Sequence, residues 1–158
     1  MRKISFTVDH MLIKLGRNLR ITGYDTLWNT NLRTHELILK SNAENRIFLS
    51  RNTMLCEQYP AAERYFIVES QQPLEQLGEV VGEYGLDISS YLFSRCVDCN
   101  VDLVRVPAKE DIRARVHPNV YGRYDEFFVC PVCGKVFWKG SHVQNTAARL
   151  ADFMSSCK

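Results

Sequence analysis

Two cysteine pairs, Cys96-Val97-Asp98-Cys99-Asn100 and Cys130-Pro131-Val132-Cys133-Gly134, constrain this chain more than any other feature. Each C-x-x-C turn brings two sulfurs towards one point. The Asn or Gly after each pair tolerates the left-handed backbone that such turns need. Four thiolates close a tetrahedral shell and leave no position for water, so Cys96, Cys99, Cys130 and Cys133 predict structural Zn²⁺ rather than a catalytic ion. The competing reading, a redox pair or four unrelated thiols, is weaker where two knuckles share one chain. Thirty residues lie between the pairs, which a two-hairpin ribbon accommodates if Pro107 to Val116 forms an inserted helix. Cys56 and Cys157 have no partner motif and read as free thiols.

The N-terminal half has a different texture. Ile4 to Val8 alternates as a strand does. Asp9 stands at a natural helix cap, and His10 to Ile21 follows helical spacing. Met11, Leu12, Leu15 and Leu19 share its apolar arc, with His10, Lys14, Arg17 and Asn18 opposite. Tyr24 to Leu27, Arg46 to Leu49 and Tyr65 to Val68 read as further strands. Thr34 to about Ala43, and a segment opened by Pro73, read as helices. This alternation predicts a small α/β layer structure with a mainly parallel sheet. Ser89-Ser90 is the expected boundary, giving an α/β part at 1–88 and a ribbon with a C-terminal helix at 89–158.

Composition narrows the partners. The apolar fraction of 46% suffices for a core, and the net charge of +2 excludes nucleic-acid binding by bulk attraction. The charge is uneven, at +4 over residues 1–60, −5 over 61–90 and +3 over 91–158. Any nucleic-acid contact therefore has to be local. No apolar run approaches the roughly 20 residues of a membrane span, and the start carries no signal-peptide core. A cytoplasmic location with no membrane partner is the expectation, in keeping with cysteines kept reduced for metal.

Several residues carry two readings. Asp9 and Asp25, at a strand end and a strand start, are placed to hold Mg²⁺ or Mn²⁺ if they converge at one sheet edge. As competing roles, Asp9 is a helix cap and Asp25 a turn residue. Lys14 and Arg17 suit phosphates or a solvated helix face. Trp138, Lys139 and His142 suit stacking and gripping of single-stranded RNA, or packing of the ribbon against the first part. Arg105, Lys109, Arg113 and Arg115 form a candidate basic face on the inserted helix, diluted by Glu110 and Asp111.

The chain as a whole resembles the PIN-like RNase domain family named after the C-terminal region of the Mut-seven protein. The resemblance rests on Phe6 to Leu15 with Arg17 and Leu19-Arg20, on Gly23-Tyr24-Asp25-Thr26, and on Arg46 to Arg51. It continues through Glu75-Gln76-Leu77, Leu92-Phe93-Ser94-Arg95 before the first knuckle, Tyr124 to Phe127 before the second, and Val136 to His142 after it. It implies a PIN-like domain followed by a zinc ribbon, with metal-dependent RNA cleavage as the activity. Asp9 and Asp25 match the family pattern. Thr34 and Asn52 stand where that pattern has acids, with Glu36 and His35 the nearest substitutes for the former. Two readings follow. One is a ribonuclease with Asp9 and Asp25 as metal ligands, Asn52 as a neutral third ligand, and Lys14 or Arg17 steadying the developing charge. The other is a module that binds RNA or a protein partner without cleavage; a third and weaker reading is an adaptor that docks through its ribbon.

Overall fold

The computed structural model describes residues 4–156, so Cys157 lies outside the described residues. Four strands, β1 (Phe6–Val8), β2 (Thr26–Leu27), β3 (Ile47–Ser50) and β4 (Tyr65–Ile67), pair in the order β2-β1-β3-β4, every pair parallel. Both faces of this sheet are covered. Side chains alternate along the strands, so Phe6, Val8, Ile47 and Leu49 face one layer while Phe48 faces the other.

The first layer holds α1 (Ile13–Ile21) and α4 (Pro73–Tyr84), whose Leu15, Leu19, Leu77 and Val80 are buried in one core. The second holds α2 (Thr34–Ala43) and the short α3 (Leu55–Gln58), which bury Leu37, Ile38 and Leu55 on Phe48. A parallel sheet needs such cover on both sides, because its crossover helices lie on its faces. The α/β reading with a parallel sheet therefore holds.

The boundaries moved where local caps overrode periodicity. Asp9 caps a 3-10 turn, His10–Leu12, before α1 begins. That tighter winding turns Met11 out of the apolar arc and leaves it 80% exposed. Arg33, not Thr34, is the N-cap of α2. Its backbone N–H donates to the Glu36 carboxylate at 2.7 Å, which closes a capping box. The expected insert helix is a 3-10 helix at Lys109–Arg115, followed by α5 (Pro118–Arg123). His117 caps α5 through Nδ1, which accepts from the Asn119 N–H, and Pro118 opens it.

The ribbon forms a second sheet, antiparallel, of β5 (Val104–Arg105), β6 (Phe128–Val129) and β7 (Val136–Phe137). Helix α6 (Ser141–Ser156) follows the ribbon and returns to the first core. Leu150 is buried in the core of the first sheet, and Phe153 lies against Gly78 of α4.

A polar seam joins the first knuckle to the parallel sheet. The Asn100 amide accepts from the Thr26 N–H at 3.1 Å and donates to the Asp25 carboxylate at 2.6 Å. Arg46 grips the same carboxylate from the other side with two hydrogen bonds, of 2.7 and 3.1 Å. Arg20 donates to the carbonyls of Thr26 and Val97, and Arg95 to those of Gly23 and Asn100. Burial works against ionising Asp25, but the hydrogen bonds from Arg46 and Asn100 and the Arg46 charge outweigh it. They hold the carboxyl below its ordinary 3.8.

Asp25→Ala should therefore lower stability by about 2 kcal/mol, the usual loss for hydrogen bonds to a charged group. A carboxyl with a depressed folded value contributes above its unfolded value and loses that contribution as pH falls through the folded one. In urea melts the gap between wild type and Asp25→Ala should hold steady down to about pH 5 and narrow only in stronger acid. A gap that widens in acid would assign Asp25 a different role.

Candidate metal centre and strand-end site

The two knuckles repeat one geometry. The Cys96 carbonyl accepts from the Asn100 N–H and the Cys130 carbonyl from the Gly134 N–H, both at 2.9 Å. Asn100 and Gly134 close these turns at φ 58° and 74°, the left-handed conformation expected of them. The four sulfurs all lie within 4.8 Å of one another. Sγ of Cys96 and Sγ of Cys133 are 3.9 Å apart, far beyond the roughly 2.05 Å of a disulfide. A tetrahedron with metal–sulfur bonds of about 2.3 Å has edges of about 3.8 Å, so the spacing fits a metal held between them.

The charges of the sulfurs argue the same way. Burial and the neighbouring thiols push Cys99 up to about 12. Burial also opposes ionisation of Cys130, yet the N–H groups of Cys133 and Val132 draw it down to about 7. Four converging sulfurs cannot all ionise without a cation among them. The donor set is that of a structural metal such as zinc.

The insert braces this centre. Arg115 donates to the Gly134 carbonyl, while Arg105 pairs with Glu126 and Lys109 with Asp125. Arg113 lies over the Tyr121 ring. The candidate basic face of Arg105, Lys109, Arg113 and Arg115 is thus spent on internal contacts.

The expected convergence of Asp9 and Asp25 is not found, and the reason is strand direction. Phe6 pairs with Thr26 in parallel, so Asp25 lies level with Ser5 at the N-terminal edge of the sheet. Asp9 follows β1 at the C-terminal edge, four positions further on and roughly 13 Å away at strand rise. One Mg²⁺ or Mn²⁺ with ligands at about 2.1 Å cannot span that gap. Asp25 belongs to the seam with Arg46 and Asn100.

Asp9 meets Ser50 instead, and Asn52 through it. One oxygen of Asp9 accepts from its own cap position, the His10 N–H, and the other from the Ser50 hydroxyl at 2.9 Å. The Ser50 oxygen in turn accepts from the Asn52 N–H. The Asn52 side chain is engaged at both ends, accepting from the Met54 N–H and donating to Gln58. Glu36, the nearest acid to Thr34, serves the capping box. Glu79 accepts from the N–H groups of Glu69 and Ser70 after β4. Among the described residues the four cysteines are the one group of three or more His, Cys, Asp or Glu at metal-binding distance.

The remaining candidates fall into two clefts. Trp138, Lys139 and His142 line one of about 630 Å³ between the end of α1, the ribbon and the start of α6. Trp138 packs on Phe127 at 6.3 Å between ring centroids. It also lies so close to Gly140 that a Cβ there would meet its indole at 3.0 Å. Lys14 and Arg17 line a second cleft of about 660 Å³ between α1, the start of α4 and α6. Sequence reasoning assigned no role to the Ser50 hydroxyl, although Ser50 lies in the segment from Arg46 to Arg51, nor to Arg149, which lines the second cleft and sits in no recognisable motif.

Isolated protein is expected to carry one zinc per chain by metal analysis. Stripping it should abolish the ribbon's order, since structural sites in small domains contribute on the order of 10 kcal/mol. Circular dichroism and melting unchanged by a strong chelator would refute a structural metal.

A search among curated proteins found no match. The family model of the Mut7-C RNAse domain matches residues 4–150, a span that takes in the parallel sheet, the seam, the four-cysteine centre and most of α6. The chain belongs to the Mut7-C RNase domain family.

Proposed function

We propose that this protein is a PIN-like ribonuclease homologue that binds RNA and has shed most of the divalent-ion cleavage chemistry. Residues 1–88 form the RNA-facing part in this reading, and residues 89–158 a zinc-ordered ribbon and helix that complete the binding surface. The observation that carries it is the state of the strand-end site. Asp9 accepts there from the Ser50 hydroxyl, which accepts in turn from the Asn52 N–H, and the Asn52 side chain is already bound at both ends. A hard divalent ion is held by several oxygens with carboxylates supplying charge, and a two-metal clamp needs still more of them. Lys14 and Arg17 on α1, with Trp138, Lys139 and His142 on the far cleft, supply cations and an aromatic ring for RNA.

The cleavage reading keeps one specific support. Asp9 lies at the C-terminal edge of the parallel strands, where open α/β sheets place their ligands. A Mg²⁺ or Mn²⁺ ion bound by Asp9, with Asn52 turned from Gln58, would activate a water there.

Labelled single-stranded and structured RNA, incubated with Mn²⁺ or EDTA, separates the two. The expected result is intact RNA, bound more weakly as salt rises. Asn52→Asp with Thr34→Asp should then raise Mn²⁺-dependent cleavage by at least tenfold, the order of one restored electrostatic contribution in an active site. Cleavage by the unaltered protein that needs Mn²⁺ and disappears in Asp9→Asn would decide for the enzyme.

A further inference from the structure

The two clefts are not separate. Ile21, at the end of α1, lines both. Helix α6 runs past each in turn, contributing His142 to the first and Arg149 to the second. A third hollow, of about 490 Å³, shares Lys14 with the second and reaches His10, the residue after Asp9. Together they make one path along α1, from Trp138 beside the ribbon to the strand-end site.

The chemistry changes along that path in an ordered way. At the ribbon end stand the half-buried Trp138 and an apolar wall, with exposed Lys139 and Arg123 at the rim. In the middle stand Lys14, Arg17 and Arg149, all exposed. None of these five cations forms an ion pair among the described residues. They differ in this from Arg46, Arg95, Arg105, Lys109 and Lys135, each of which faces an acid. Glu75, the one acid on the middle stretch, already accepts from the Ser70 hydroxyl.

Resting on the reading that the protein binds RNA, we infer that this path takes one single strand, with an unstacked base on Trp138 and phosphates on Lys14, Arg17 and Arg149. Duplex RNA offers no free base face, because its bases are stacked on one another. A single strand offers both a base face and a flexible row of charges. The groove, with its aromatic end and cationic middle, complements the single strand. It also assigns a role to α6. The helix that closes the first core supplies Arg149 to the bound strand, so the two parts of the chain read one ligand together.

The test uses the zinc-loaded full chain, a fluorescein-labelled ten-nucleotide RNA and the same RNA annealed to its complement. Arg149→Glu and Lys14→Glu, both exposed, should each weaken single-strand binding about tenfold. The slope of log affinity on log salt should fall by about 0.7 for each neutralised cation. Lys40→Glu, on α2 across the sheet, should change neither. Single-strand binding should quench tryptophan fluorescence, and Trp138→Phe, which keeps an aromatic for packing, should lose that quench. Single-strand binding that ignores Arg149→Glu and Lys14→Glu, or duplex bound equally well, overturns this path while leaving RNA binding in place. No binding of either RNA overturns both readings.

Discussion

The side chain of Asn100 is the contact on which the arrangement of the two parts depends. Its backbone, at a left-handed φ, ends the first zinc knuckle. Its amide, turned inward, completes the hydrogen bonding of Thr26 and of the Asp25 carboxylate at the edge of the parallel sheet. A metal-ordered turn and a strand edge are thereby one construction. Arg46 neutralises the same carboxylate, and Arg20 and Arg95 bind carbonyls on both sides of the seam. Such a junction is directional where an apolar one is not, because a hydrogen bond holds only within a narrow range of distance and angle. It fixes where the ribbon stands, and so fixes the cleft that Trp138 lines.

Much of this was legible in the sequence. The cysteine spacing and the residues after each pair announced the metal centre, because few backbones place two C-x-x-C turns within reach of one ion. The alternation of apolar strands and amphipathic helices announced the parallel sheet. The helices Thr34–Ala43 and that opened by Pro73 stand where they were expected, the first on its local start signal and the second on Pro73 and a clear apolar face. What could not be read was which strands are neighbours and in what register they pair. Two aspartates near strand ends look alike in a sequence. Only the parallel pairing of Phe6 with Thr26 sends them to opposite edges. The same holds for Arg46, whose value lies in a partner 21 positions away, and for Asn100, 75 positions from Asp25. Long-range polar contacts leave no periodic trace.

At the strand-end site the residues proposed for catalysis also carry structural tasks. Asp9 keeps a structural task whatever else it does, capping the turn that starts α1 and accepting from Ser50. Asn52 likewise caps the turn before α3. Both residues are held by the fold itself, so the edge stays ordered with fewer carboxylates. In the binding reading proposed above, an ordered edge beside a cationic groove suits the holding of a strand.

Leu150 carries a consequence for how the chain comes to be folded. It sits at 6% exposure in the core formed by residues 6 to 86, yet it lies beyond the entire ribbon in sequence. A ribosome making this chain at roughly 5–20 residues per second would expose an unfinished apolar face on the α1 and α4 layer for several seconds. During that interval the sheet would wait on a helix that cannot dock until the cysteines between have emerged. Emergence of the four cysteines and closure of the first core are in this way ordered in time by synthesis.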